Sequence, residues 1–281
     1  MPVETFSILH SQSSIRKRIC VFDSGLGGLT VVRSIRERLP GAEILYLADT
    51  AHAPYGEKSH EEIRRYSLAI ARFFVEEQGA DALVVACNTA TSAAIATLRE
   101  RYGDLPIVGT EPGIKPALGA TRTGKIGVMA TPATLAGEKY QALVDRLCGV
   151  REVELFERAC PGLVEQIEAG AIDAPETRVM LEEWLAPMRS AGVDTIVLGC
   201  THYPLAAEAI RQVMEVPVIL IETGEAIARR LATLLGDVSE EEAGILRLFS
   251  TGAIDERAVE RIVEERVTIE PLALKIEDRV K

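Results

Sequence analysis

The sequence contains no apolar run long enough to span a bilayer, and it does not begin like a secretory leader. A leader places basic residues first and an apolar stretch after them, whereas here Arg16, Lys17 and Arg18 come after a largely polar segment. These absences predict a cytoplasmic protein that is neither exported nor held in a membrane. Apolar residues still make up 47% of the 281 residues, which is enough for one large core or two medium ones.

Cysteines are few, and they form no C-x-x-C pair. The five are Cys20, Cys87, Cys148, Cys160 and Cys200. An odd number at such wide spacing argues against a disulfide framework and against a zinc knuckle. Because an isolated buried cysteine usually packs as a small apolar residue, we interpret Cys20, Cys148 and Cys160 as structural.

Basic residues are outnumbered, with 31 Lys and Arg against 42 Asp and Glu, so the formal net charge is −11. This charge disfavours nucleic acid as a partner because phosphates would be repelled. The same field repels a small anion, so binding one would require hydrogen-bond donors close to it.

Short β-branched runs alternate with helical patterns along the chain. The predicted strands comprise residues 18–22, 43–47, 82–86, 106–109 and 125–129. One helix is predicted from Leu29 until Pro40-Gly41, and Ser59-x-x-Glu62 forms the capping box of another. This alternation predicts parallel sheets with right-handed crossovers, which is an α/β architecture.

An internal repeat divides the chain into two similar halves. The segments GADALVVACNT and GVDTIVLGCTH each contain an apolar strand that leads to a cysteine. Ile19 corresponds to Ile126 and Cys87 to Cys200, at offsets of 107 and 113 residues. We therefore predict two pseudo-symmetric, doubly wound parallel-sheet domains. Ligands of such sheets bind beyond the carboxyl ends of the strands, so the active site should lie in the cleft between the domains.

The repeat would bring Cys87 and Cys200 to opposite walls of this cleft, each at a helix start that favours the thiolate. Stereoinversion needs such a pair, because one group removes the α-proton and the other returns a proton from the far side. Cysteine suits both tasks near neutrality, since its unperturbed pKa is about 8.5. The pattern predicts an enzyme that inverts an amino acid, with coincidental packing of two cysteines as the alternative.

Polar residues cluster at the same predicted strand ends. Asp23 follows the first strand within DSGLGG, whose glycines lack the spacing of a dinucleotide-binding turn, and its carboxylate could partner a thiol or a substrate ammonium group. His52 lies in the loop ADTAHAPYG and is interpreted as a surface residue. None of these motifs contains Arg, so neutral donors should hold substrate carboxylates: Ser24, Asn88, Thr89, Thr131, Thr134 and Thr201.

Three other functions fit part of this pattern. His202 lies two residues after Cys200, as the base of a cysteine hydrolase could, but a hydrolase leaves Cys87 unexplained. A two-lobed anion-binding protein without catalysis has no need of matched thiols. A racemase of another small acid, such as aspartate, would use the same two cysteines.

Five motifs resemble those of the glutamate racemases, in the order FDSGLGGLTV, ADTAHAPYGEKS, VVACNTATSAA, ATPATL and LGCTHYPL. The resemblance extends from about Arg18 to the C-terminal region, and GCTHYPL together with CNTAT is specific. It implies a cofactor-independent, metal-free isomerase that interconverts L- and D-glutamate and supplies D-glutamate for bacterial peptidoglycan and cell shape. It also implies a cytoplasmic homodimer. This homodimer binds the small-molecule substrate and has neither a nucleic acid nor a membrane as a partner.

The resemblance also assigns residue roles. Cys87 would exchange a proton with D-glutamate, assisted by Asp23, and Cys200 with L-glutamate, assisted by His202 and a glutamate. Counting eight residues from the cysteine of the pair Cys160-Pro161 identifies this glutamate as Glu168, although the intervening GLVEQI departs from the family pattern and also offers Glu165. The implied substrate contacts are Asp23, Ser24, Tyr55, Gly56, Asn88, Thr89, Thr131, Thr201 and His202.

Finally, the resemblance implies interleaved domains. The first would comprise residues 1–114 and 224–281, with residues 1–17 as a flexible extension, and the second would comprise residues 115–223.

Overall fold

A computed structural model describes residues 16–148, 153–236, 238 and 243–276. Nearly all of the predicted extension over residues 1–17, and the side chain of Cys148, therefore lie outside the described residues. The strands are β1 Arg18–Asp23, β2 Glu43–Ala48, β3 Ala82–Val85, β4 Ile107–Gly109, β5 Lys125–Ala130, β6 Glu154–Ala159, β7 Thr195–Gly199, β8 Ile219–Ile221, β9 Ile245–Ser250 and β10 Ile269–Pro271.

The α-helices are α1 Leu29–Arg38, α2 His60–Arg72, α3 Asn88–Arg101, α4 Ile114–Ala120, α5 Pro132–Leu135, α6 Glu138–Cys148, α7 Leu163–Glu168, α8 Pro175–Ala191, α9 Ala207–Met214, α10 Gly224–Leu235 and α11 Glu256–Val263. Single 3₁₀ turns occur at Thr50–His52, Tyr55–Glu57 and Tyr203–Ala206, and a π-helical turn at Phe73–Glu77 continues α2.

Within the described residues the strands form two parallel sheets. The first has six strands in the order β10-β9-β2-β1-β3-β4, and the second has four in the order β6-β5-β7-β8. The order 2-1-3-4 thus recurs as 6-5-7-8, which confirms the predicted repeat and the predicted α/β fold. The chain leaves the first sheet after β4 and returns to it after β8. The residue boundaries proposed for the two domains remain a prediction.

The central strands are apolar on both faces because helices cover both sides of each sheet. In β1, Ile19 and Val21 pack into one core cluster, while Cys20 and Phe22 pack into the cluster on the opposite face. The alternation follows from the two-residue period of side chains along a strand. Helix α10, which follows the second sheet, adds Ile227 to the core of the first.

The predicted elements match the structure to within one or two residues. Strand β4 begins at Ile107 rather than at Pro106, because proline has no amide hydrogen to donate to a neighbouring strand. The predicted capping box is confirmed: the Ser59 hydroxyl accepts from the Glu62 amide, and the Glu62 carboxylate accepts from the Ser59 amide. Within the described residues, no helix has both the length and the apolar character needed to cross a membrane.

We predict that Ser59→Ala lowers the free energy of unfolding by about 1 kcal/mol, because the amides at the start of α2 lose their side-chain acceptor. Urea unfolding followed by circular dichroism measures the difference. Ser59→Thr is the matched control, because it keeps the hydroxyl and should lose much less stability. Equal stability of the Ala variant and the wild type would contradict the prediction.

Candidate active site

The carboxyl ends of three strands from each sheet surround one cavity of about 210 Å³. The first half contributes the segments after β1, β2 and β3, and the second half contributes those after β5, β6 and β7. These are equivalent strands of the repeat, so the cavity lies on the pseudo-symmetry axis, where open parallel sheets bind ligands. Predicted site residues that line it are Asp23, Ser24, Tyr55, Gly56, Cys87, Asn88, Thr89, Thr131, Thr134, Cys200, Thr201 and His202.

Cys87 is the N-cap residue of α3, and its sulfur accepts a hydrogen bond from the Ala90 amide at 3.4 Å. Its Sγ also lies 4.0 Å from the Ser24 hydroxyl. Burial, followed by the charge of Asp23, nevertheless raises the pKa of the Cys87 thiol well above its usual range, and these two hydrogen bonds only partly oppose the rise. The amide at the helix start lowers this pKa, as predicted, but desolvation has the larger effect.

Cys200 follows β7 directly, but no α-helix begins at this residue. The chain instead makes a turn and a 3₁₀ segment, Tyr203–Ala206, before α9. The predicted helix start at Cys200 is therefore wrong. A side chain supplies the polar neighbour instead, since Nδ1 of His202 lies 3.8 Å from the Cys200 sulfur. This contact is suited to moving a proton between the imidazole and the thiol.

His202 is buried between this sulfur and Glu168, whose Oε1 lies 2.8 Å from Nε2 of the imidazole. Burial lowers the pKa of His202, but the hydrogen bonds to Cys200 and Glu168 outweigh it and raise the pKa well above 6.5. Burial raises the pKa of Glu168, but its interactions with His202 lower it below 4.5. An imidazolium therefore faces a carboxylate. The Gly27 amide also points at this nitrogen, at 3.1 Å.

The two glutamates of α7 differ in their surroundings. Glu168 contacts His202 and accepts from the Leu26 amide at 3.2 Å, but it does not line the cavity. Glu165 lines the cavity and is exposed. Glu168 is thus the glutamate in contact with the Cys200–His202 pair.

Asp23 connects the two halves of the site. Its carboxylate is fully buried, and it accepts from the Ser24 amide at 2.7 Å and from the Thr201 hydroxyl at 2.9 Å. Glycines make this approach possible: a Cβ on Gly25 would lie 2.1 Å from Glu168 Oε1, and one on Gly27 would lie 2.4 Å from His202 Nδ1. The glycine-rich turn is therefore a site of close packing against the second half.

The cavity offers neutral donors in an acidic protein. Among the described residues no Lys or Arg lines it, and its two glutamates, Glu57 and Glu165, are exposed. Both polar atoms of the buried Asn88 carboxamide lack a hydrogen-bond partner. Because an unpaired buried amide costs free energy, Asn88 indicates a binding position for a polar ligand. The described part of the chain contains no group of three His, Cys, Asp or Glu side chains arranged to hold a metal ion.

Cys160, interpreted above as a structural cysteine, lines the cavity. It follows β6, the strand equivalent to β2, and a residue directly after a parallel strand is expected to face the cleft. Burial raises its pKa to about 12. Strand β5 lies between β6 and β7, and Cys160 and Cys200 are both free thiols.

The chain is similar to known proteins over most of its length. A family model described as Asp/Glu/Hydantoin racemase matches residues 28–231. A curated glutamate racemase of Sulfurovum sp. is 58% identical over 250 residues, covering 88% of this chain and 94% of the relative. A second, of Aliarcobacter butzleri, is 51% identical over 251 residues, covering 89% and 96%.

Solved structures of glutamate racemases are also similar to this chain. A glutamate racemase of Bacillus anthracis matches with a TM-score of 0.83 at 32% identity, covering 93% of this chain and 99% of that one. The Escherichia coli glutamate racemase, solved with L-glutamate and the activator UDP-MurNAc-ala, matches with a TM-score of 0.81 at 34% identity, covering 93% and 100%.

We predict that Glu168→Gln lowers the pKa of His202, because the imidazolium loses its carboxylate partner. Histidine NMR titration measures this pKa, and His202→Asn identifies the resonance among the four histidines. Glu165→Gln is the matched control and should leave the pKa within about 0.3 unit, since an exposed charge is screened by solvent. A shift in the control as large as that in Glu168→Gln would contradict the assignment.

The same pair sets the sign of a pH effect on stability. The raised pKa of His202 contributes stability that is fully present below about pH 6.5 and is lost as the pH rises through its folded value. The lowered pKa of Glu168 contributes stability that is present above about pH 4.5 and is lost as the pH falls through its folded value. Unfolding experiments should find the largest difference between wild type and Glu168→Gln between these two pH values.

Proposed function

Because the chain belongs to the Asp/Glu/hydantoin racemase family and is an amino-acid racemase, an isomerase, we propose that it interconverts L- and D-glutamate. The mechanism is two-base proton transfer at the α-carbon without a cofactor, with Cys87 and Cys200 as the two acid/base groups. One observation carries the proposal: these cysteines follow equivalent strands, β3 and β7, and line the same cavity from its two halves. A substrate carbon between them would present one face to each thiol.

In the direction from L- to D-glutamate, the Cys200 sulfur takes the α-proton and the Cys87 thiol donates a proton to the opposite face. The raised pKa of Cys87 supports this starting state, because its sulfur keeps a proton at neutral pH. Proton transfer leaves Cys200 as the thiol and Cys87 as the thiolate, which is the starting state for the reverse reaction.

Neighbouring groups assist each thiol. His202 exchanges protons with Cys200 through the 3.8 Å contact, and Glu168 orients the imidazole from its other side. Asp23 assists Cys87, whose pKa responds to the charge of this carboxylate. The two sides therefore use different helpers although the thiols are equivalent.

Neutral donors hold the two substrate carboxylates. Asn88, with two unpaired polar atoms, is the strongest candidate for a carboxylate contact. The remaining contacts come from Ser24, Thr89, Thr131, Thr201 and the loop of Tyr55 and Gly56. Donors around the α-carboxylate would also stabilise the carbanion formed between the two proton transfers.

We further propose that the D-glutamate formed is used in peptidoglycan synthesis, and therefore in bacterial cell shape. The relatives named glutamate racemase support this role, as does the muramyl-nucleotide activator bound to the Escherichia coli enzyme. The homodimer, the cytoplasmic location and the lack of a nucleic acid partner remain predictions.

We predict that dialysed, chelator-treated protein racemises L-glutamate, measured by optical rotation, at least about 100-fold more efficiently than L-aspartate by kcat/KM. The shorter acid would place its α-carbon poorly between the thiols, and small misplacements cost about that much. Comparable kcat/KM for the two acids would contradict the specificity. Recovery of lost activity on adding pyridoxal phosphate or a metal would contradict the cofactor-free mechanism.

We predict that Cys87→Ala and Cys200→Ala each reduce racemisation by about 100- to 10,000-fold, because each removes one of the two acid/base groups. Cys160→Ala is the matched control: it removes a thiol from the same cavity wall and should retain most of the activity. In deuterated water, each enantiomer should gain deuterium mainly as it is inverted. Near-wild-type racemisation by Cys87→Ala would refute the paired-thiol mechanism.

A further inference from the structure

Asp49 is a fully buried carboxylate that the mechanism above does not use. It follows β2, and three side chains surround it. Its Oδ1 accepts from the Thr251 hydroxyl at 2.7 Å and lies 2.8 Å from Nδ1 of His52, while its Oδ2 accepts from the Tyr55 phenol. Since a buried charge is costly unless it is hydrogen-bonded, this set of donors has an energetic reason to stay together.

Tyr55 connects this hydrogen-bond network to the cavity. The residue is almost completely buried, and it lines the cavity together with Gly56 and Glu57, the other residues of its 3₁₀ turn. Burial and the neighbouring Asp49 raise the pKa of the phenol well above 10, so it keeps its proton and donates it to Asp49. A phenol has one proton, and this one anchors the turn.

Thr251 connects the hydrogen-bond network to the C-terminal part of the chain. It follows β9, and its hydroxyl accepts from the Ala51 amide at 3.1 Å while donating to Asp49. A second contact between the same two segments joins the Thr50 and Ser250 hydroxyls at 2.9 Å. Residues 245–251 lie beyond the region that the family model matches. The loop after β2 is therefore held by a part of the chain that returns from the second sheet.

We propose that Asp49 is a positioning residue, and that its bridge from Thr251 to Tyr55 holds residues 54–57 as a fixed wall of the substrate cavity. Asp49 does not itself line the cavity, so it acts through Tyr55 and does not exchange a proton with the substrate. The kinetic consequence rests on the proposed racemisation of glutamate, whereas the structural consequence for the loop does not.

The kinetic test compares Asp49→Asn, Tyr55→Phe and Thr251→Val. Each should raise KM for both enantiomers about 5- to 20-fold while kcat changes less than about threefold, because the wall that binds the substrate loosens and the thiols stay in place. Loss of folded protein would instead lower kcat at constant KM. Thr251→Ser should recover most of the affinity, and Thr233→Val, which removes an exposed helix hydroxyl elsewhere, should match the wild type.

A double variant tests the shared carboxylate. Asp49→Asn with Tyr55→Phe should raise KM no more than the stronger single variant does, because both changes break the same bond. If the effects of the two changes on KM multiplied in the double variant, the proposal would be overturned. Unchanged KM in both Tyr55→Phe and Thr251→Val would also overturn it, and this second outcome can be measured even if Asp49→Asn does not fold.

Hydrogen–deuterium exchange separates this proposal from the proposed function. Thr251→Val and Asp49→Asn should speed amide exchange at least about fivefold in peptides covering residues 50–58, and Thr233→Val should not. If the wild type failed to racemise glutamate, the proposed function would fall and the exchange rates alone would decide the role of Asp49. Unchanged amide exchange in residues 50–58 of Thr251→Val and Asp49→Asn would overturn the positioning role of Asp49.

Discussion

The turn after β1 packs directly against the turn after β7, and the geometry of the cavity depends on this approach. The Asp23 carboxylate accepts from the Thr201 hydroxyl at 2.9 Å, and Leu26 donates its amide to Glu168 at 3.2 Å. There is no room for a side chain between them, because a Cβ on Gly27 would lie 2.4 Å from the His202 ring. The glycines therefore set how closely the two halves meet, and hence how far apart the two thiols lie.

The charge of the protein and the groups that line the cavity have opposite effects on an anionic substrate. A protein of net charge −11 would repel an anionic substrate, and no Lys or Arg among the described residues lines the cavity. In the proposed function, neutral hydrogen-bond donors bind the substrate instead, and burial strengthens each of these hydrogen bonds by excluding competing water. The same burial keeps the proton on Cys87 and on the Tyr55 phenol. The buried carboxylates Asp23 and Asp49 are tolerated because hydroxyl groups donate to both.

Local patterns predicted much of the fold. The alternation of β-branched runs and helical patterns predicted the parallel strands to within one or two residues, and the repeat around Cys87 and Cys200 predicted two sheets of equivalent order. Both cysteines and the predicted neutral donors line one cavity, since equivalent strands end at equivalent edges. The predicted helix start is present at Cys87, where burial outweighs its effect on the thiol, and a turn replaces it at Cys200. Local patterns contain neither the burial nor the turn.

Local patterns were sufficient to predict where the strands lie, which cysteines are equivalent and which polar residues follow the strands, because these properties depend on neighbours a few residues apart. The packing of the whole chain was needed to show that Glu168 rather than Glu165 contacts His202, that Cys160 lines the cavity, and that Thr251 contacts the loop after β2. Thr251 and Asp49 are 202 residues apart in the chain, and Asp23 and Thr201 are 178 apart. Contacts at such separations depend on how whole sheets and helices pack, and no local period encodes that packing.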